Sequence, residues 1–145
     1  GTSGSAVMPS LIERKGAIMN MLGRPQESEA ACRHAIDLEP DHIEAYNNLS
    51  VSLSLQDRHE EALEVCDAAL DRRPEYVDTL VNKANLLVQM DDPVAGIEVF
   101  AAAIAVAPEN PLARVNLGTA LRLVGELDAA EEVDADARPA CHARY

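Results

Sequence analysis

Apolar residues in this chain follow a helical rather than an alternating spacing, as in Leu53, Leu55, Leu63, Val65 and Leu70, and so predict helices rather than strands. The pattern also returns at a fixed interval. Pro40, Pro74 and Pro108 stand 34 residues apart, and so do Ala35, Ala69 and Ala103. Cys32, Cys66 and Phe100 keep the same interval, as do Ile36, Leu70 and Ile104, and Asn48, Asn82 and Asn116. A period of 34 residues with helical content marks an array whose units bury their apolar faces on one another. Each of those prolines ends a helix, because its ring blocks continuation. Gly23, Asp57, Asp91 and Gly125 fall in mid-unit, and both residue types tolerate the left-handed conformation that closes a helix. Pro25 and Pro93 suit the first turn of a helix, and Asn110 followed by Pro111 reads as an N-cap with a proline at the first helical position. Asp41 with Glu44 three residues later reads as a capping box.

These registers resemble the tetratricopeptide repeat family, whose unit pairs two antiparallel helices, A and B; the resemblance implies that Gly23, Asp57, Asp91 and Gly125 turn helix A into helix B and that Pro25 and Pro93 open helices B. The resemblance implies an all-α, right-handed α-solenoid of about three and a half units: repeats at 9–42, 43–76 and 77–110, then a partial fourth unit or capping helices at 111–137. The family pattern wants a large residue at position 4, here Ile12, Tyr46, Leu80 and Arg114. It wants small residues at position 8, here Gly16, Ser50, Ala84 and Gly118, and at position 20, here Ser28, Ala62, Gly96 and Ala130. Small side chains there let helices A and B approach closely. Apolar residues at positions 24 and 28 share one face of helix B. The fourth unit departs from the pattern: Asp134 and Arg138 take those two positions, Pro139 falls within the expected helix B (about 126–137), and His142 replaces the closing proline. It reads either as a polar terminal cap or as a truncation followed by a tail at 138–145. Residues 1–8 read as a tag outside the repeats, without the basic region and apolar core of a signal peptide.

Composition narrows the function. The 145 residues carry 25 Asp and Glu against 12 Lys and Arg, a net charge of −13. Such a surface repels phosphate backbones and anionic membranes, so neither nucleic acid nor membrane is an expected partner. No run of about 18 apolar residues could span a bilayer, and a cytoplasmic protein is expected. Three cysteines, Cys32, Cys66 and Cys141, imply no disulfide framework, and Cys32 and Cys66 read as small core residues. His34, His42, His59 and His142 read as solvated surface side chains. The acidic cluster from Glu126 to Asp136 lacks the spacing of a calcium loop. No metal-ligand spacing, phosphate loop or nucleophile elbow occurs. A non-catalytic chain without metal or cofactor is expected.

The resemblance further implies that the A helices line a concave groove. Asn47, Asn48, Val51 and Leu55 of the second unit would face it, with Val81, Asn82, Asn85 and Val88 of the third and Asn116 and Thr119 of the fourth. An Asn amide both donates and accepts, so it pairs with a peptide main chain whatever the side chains are. The Asn48, Asn82 and Asn116 series is similar to the ladder in the tetratricopeptide region of O-linked N-acetylglucosamine transferases; the same residues could instead bridge neighbouring helices. The basic clamp with which co-chaperone repeats grip a C-terminal carboxylate would fall on Asp78 and Asn82, and the acid there is unsuited to it. The expected function is a protein-interaction scaffold holding a partner peptide, with a basic partner favoured by the charge. The alternatives are the substrate-recruiting region of a larger enzyme, such as a glycosyltransferase, and a scaffold that self-assembles into homo-oligomers through its solenoid ends.

Overall fold

The computed structural model describes residues 2–125, with side chains from residue 9 onward. Among these residues there are seven helices and no strand: α1 (Thr2–Met21), α2 (Pro25–Leu38), α3 (Ile43–Leu55), α4 (His59–Arg72), α5 (Val77–Gln89), α6 (Pro93–Val106) and α7 (Pro111–Leu123). The A helices are α1, α3, α5 and α7, and the B helices α2, α4 and α6. Helix α1 begins at Thr2 and continues through Pro9, ahead of the expected start at residue 9. The expected second helix of the fourth unit and the tail lie outside the described residues.

The turns follow from the residues that fill them. Asp57 and Asp91 take φ of 63° and 62°, and Gly23 and Gly125 take 74° and 81°. All four sit in the left-handed region that stops a helix and returns the chain. Asn110 caps α7 by accepting a hydrogen bond from the Ala113 N–H at 3.1 Å, and Asp92 caps α6 by accepting one from Ala95 at 3.2 Å. The capping box expected from Asp41 and Glu44 does not form. The cap residue of α3 is His42, one residue later, and it makes no side-chain cap bond. The two carboxylates have other partners: Asp41 pairs with Arg72 at 3.3 Å, and Glu44 accepts a hydrogen bond from the Tyr76 hydroxyl.

The chain divides into two compact units, residues 1–82 and 83–145, with the division inside α5. In the first unit α1 packs on α2, and α3 packs on α1, α2 and α4. Its core includes Cys32, Ala35, Ile43, Leu53, Cys66 and Ala69, all nearly or wholly buried. Close approach of α1 and α2 requires the missing side chain of Gly16, where a Cβ would lie 2.6 Å from Cys32 Sγ. In the second unit α6 packs on α7, and a Cβ on Gly96 would lie 2.8 Å from Val88 Cγ2. Tyr46 ties α3 to the preceding turn by donating to the Pro40 carbonyl at 2.7 Å. Two repeats on, the Arg114 guanidinium makes the matching bond to the Pro108 carbonyl at 3.0 Å.

Candidate functional site

The candidate binding residues lie on the A helices. In the first unit, Asn47 and Asn48 are adjacent and half-buried on α3. The Asn48 amide donates to Glu13 Oε1 of α1 at 2.6 Å, and its main-chain carbonyl accepts from the Asn20 amide at 3.0 Å. Asn48 therefore bridges two A helices with its donor committed, while its Oδ1 takes no bond from a described residue. Asn47 is committed in the opposite sense: its Oδ1 accepts from the Thr79 hydroxyl at 2.6 Å. Val51 is half-buried and Leu55 is 55% exposed, so both present apolar surface. Val81 is only 4% exposed; it is a core residue and has little surface to offer a ligand. Asn82 is half-buried and makes no hydrogen bond with a described residue.

In the second unit, Asn85, Val88 and Asn116 are half-buried and Thr119 is exposed. The Thr119 hydroxyl donates to the Val115 carbonyl of its own helix. Neither Asn85 nor Asn116 forms a hydrogen bond with a described residue. Three half-buried amides, Asn82, Asn85 and Asn116, thus keep their donors and acceptors, whereas Asn47 and Asn48 have each committed one side.

A charged network in the first unit is only partly periodic in the sequence: Arg58 and Glu61 repeat Arg24 and Glu27, but Glu29 has no counterpart acid at Leu63 or Ile97. Glu29 of α2 accepts from Arg33 at 3.0 Å, from Gln56 at 3.0 Å and from Arg58 at 2.7 Å. Arg58 also grips Glu61 through two bonds, at 2.9 and 2.8 Å. Burial works against the Glu29 charge, but the hydrogen bonds from Gln56, Arg58 and Arg33 outweigh it and hold its carboxyl below the ordinary range. The Arg58 hydrogen bonds lower Glu61 as well. Burial, reinforced by the charges of Glu44 and Asp78, raises the Tyr76 hydroxyl.

Cys32 and Cys66 are buried free thiols, and burial pushes Cys32 up to about 11. His42 and His59 depart from the solvated positions expected of turn residues. Their side chains are only 12% and 24% exposed and pair with Glu39 and Asp57 respectively. His34 is exposed. Among the described residues no group of three or more His, Cys, Asp or Glu side chains could hold a metal ion, and no helix is long and apolar enough to cross a membrane.

Paired helices repeating every 34 residues, with left-handed mid-unit turns, define an all-α helical-repeat protein. A family model described as tetratricopeptide repeat matches residues 22–77 and 81–142, and the chain belongs to that family. No curated protein matches the sequence. Among solved structures, a thermophilic tetratricopeptide protein of Thermus thermophilus superposes with a TM-score of 0.83 at 18% identity, covering 89% of this chain and 72% of that one. The first such domain of Spaghetti (RPAP3), bound to the HSP90 peptide SRMEEVD, gives 0.75 at 13% identity over 81% of this chain and 94% of that one. An O-GlcNAc transferase of Thermobaculum terrenum gives 0.75 at 22% identity, over 81% of this chain but only 22% of the transferase.

Proposed function

We propose that the chain is a non-catalytic protein-interaction module that holds an extended partner segment against its A helices, the side that lines the groove in this family. The observation that carries the reading is the set of uncommitted amides. Asn82 and Asn116 share a register with Asn48, yet neither spends its amide on a described residue as Asn48 does on Glu13. Half-buried polar groups in that state gain most from a ligand main chain, which offers one donor and one acceptor per residue. Asn85 supports them, Asn47 and Asn48 keep one free side each, and Val51, Leu55, Val88 and Thr119 supply shallow contacts. Val81 is left out because it is buried.

The partner segment is basic. The peptide SRMEEVD bound by the Spaghetti domain, with three acidic residues and one basic, would meet Asp78, which is exposed, and a chain of net charge −13. A second reading, substrate recruitment within a larger enzyme, is favoured by the likeness to part of a glycosyltransferase and uses the same amides. The test is capture of partners from lysate on the wild type and on the Asn82→Ala, Asn116→Ala variant, both shown to be folded by circular dichroism. Capture by the wild type alone is expected, and equal capture by both would sink the reading. Attachment of the captured segment to an enzyme's substrate would favour the second form.

A further inference from the structure

The second and fourth repeats bury the same helix-A positions. Ala45, Leu49 and Ser52 of α3 are 0%, 3% and 0% exposed, and Ala113, Leu117 and Ala120 of α7 are 0%, 9% and 1% exposed. The first repeat has Leu11, Lys15 and Ile18 at these positions, and Leu11 and Ile18 are 56% and 53% exposed. Leu22, one turn beyond, is 63% exposed. Leu11 and Ile18 are larger apolar residues than their counterparts Ala45 and Ser52, with Lys15 between them in the place of Leu49.

The first unit shows what covers such a face one repeat later. Ile36 of α2 packs into the cluster of Ile43, Tyr46 and Ala69, beside Val65 and Ala68. The residues 34 positions before Tyr46, Val65 and Ala68 are Ile12, Ala31 and His34. These line, together with Ala30 and the charged Lys15 and Glu27, an open cleft of about 370 Å³ between α1 and α2. The charges repeat the arrangement by half. Arg58 binds Glu61 of its own repeat and Glu29 of the preceding helix B. Its counterpart Arg24 reaches only the matching Glu27, at 3.8 Å, and its side chain is 60% exposed. No described residue supplies the second acid.

We propose that the outer face of α1 and α2 docks an amphipathic α-helix from a partner protein. That helix sets an acidic side chain on Arg24 and, seven residues further on, an aliphatic side chain in the cleft, as α2 sets Glu29 on Arg58 and Ile36 beside Tyr46. The described helices of a second copy do not meet this need. The counterparts of Glu29 in α4 and α6 are Leu63 and Ile97; Glu131 holds that register outside the described residues, but Arg138 stands where the aliphatic side chain seven residues on is needed, and Glu29 itself is already bonded within its own chain. Two copies each carrying −13 also repel.

The probe is a fluorescent peptide with the sequence of residues 25–38, held helical by a lactam bridge on its opposite face and titrated into the full chain. Saturable binding is expected. Ile18→Glu or Arg24→Glu in the chain should each weaken it by at least about tenfold, a free-energy loss of about 1.4 kcal/mol. Glu29→Lys in the peptide should restore binding to the Arg24→Glu chain and weaken binding to the wild type. Both chain positions are exposed, so these variants should stay folded, which circular dichroism checks. Absence of saturable binding up to about 1 mM peptide, an affinity limit of roughly 4 kcal/mol, would overturn the proposal, as would binding indifferent to both substitutions. A dimer in sedimentation equilibrium that Ile18→Glu dissolves would also overturn it, because a second copy would then be the occupant. Neither substitution touches the A-helix amides, so this proposal and the peptide-binding reading can fail separately.

Discussion

At the scale of the residue, one register of asparagines holds one committed amide, that of Asn48, and two that bond no described residue. Asn48 gives its amide protons to the Glu13 carboxylate across the α1–α3 seam. A charge-assisted bond of this kind contributes about 1.5–3 kcal/mol when buried and less when half-exposed. Asn48→Ala should therefore cost about 1–2 kcal/mol of unfolding free energy in urea. Asn82→Ala and Asn116→Ala, which break no bond to a described residue, should stay within about 0.5 kcal/mol of the wild type. An equal loss at all three positions would mean that the whole series is structural. The register of the asparagines is plain in the sequence. What Asn48 does there is not, because it depends on Glu13, which lies one repeat earlier in the chain and follows no repeat of its own. The same limit hid Asp41 and Glu44. Both fit a local capping pattern, yet their partners, Arg72 and Tyr76, are set by packing of the next helices.

Helices A and B meet through missing side chains, and this contact scale was the most legible in the sequence. Small residues at positions 8 and 20 announced a close approach, and the structure gives it a magnitude. At Gly16 a methyl group would lie 2.6 Å from the sulfur of Cys32, in a core with no slack. Alanine improves intrinsic helix propensity by about 1 kcal/mol, but overpacking a closed core costs typically 1–3 kcal/mol. Gly16→Ala should accordingly lower stability, by about 1 kcal/mol net. Cys32→Ala, which removes the obstructing sulfur, should recover part of that loss in the double variant, a coupling readable from a double-mutant cycle. Strict additivity would show that the two side chains do not oppose each other. The helices and their left-handed turns were legible for the same reason, since repeated small, proline and turn residues each fix a backbone feature locally. The bridge from Glu29 to Arg58 was not legible. Its two ends stand at different positions of the repeat, and only the shared register of Arg24 and Arg58 hints that an arginine is wanted there. That bridge makes stability depend on pH. The Glu29 carboxyl lies below its ordinary value of 4.5 in the folded chain. Its contribution is therefore full above the unfolded value and is lost as pH falls through the lower folded one. Glu29→Gln should flatten the acid limb of a stability–pH curve while leaving its neutral and alkaline limbs in place. An unchanged acid limb would assign acid unfolding to other carboxylates.

For the whole molecule the decisive quantities are burial of the thiols and excess of negative charge. Cys32, held up to about 11 from an ordinary 9.0, favours the neutral thiol in the folded state. The stability it contributes is full below pH 9 and declines as pH rises toward 11. At neutral pH its alkylation requires opening of the helices around it, so the rate should follow the unfolding equilibrium as urea is raised. Fast labelling of Cys32 in the native chain, measured with Cys141→Ser to remove the thiol outside the described residues, would contradict the close packing of α1 on α2. The net charge of −13 acts over a longer range. With 25 acids against 12 bases, the field attracts a basic segment before any amide is in reach. Electrostatic attraction acts mainly on encounter, whereas the short-range bonds proposed for Asn82 and Asn116 would govern how long a bound segment stays. Raising salt from about 0.01 to 0.15 M shortens the screening length from about 30 to 8 Å. Association of the basic partner should then slow by about tenfold or more, while dissociation changes little. Asn82→Ala with Asn116→Ala should do the reverse, speeding dissociation at every salt concentration. Stopped-flow traces of the two proteins at both salt concentrations separate these effects, and a salt-independent association rate would remove charge from the account of partner choice.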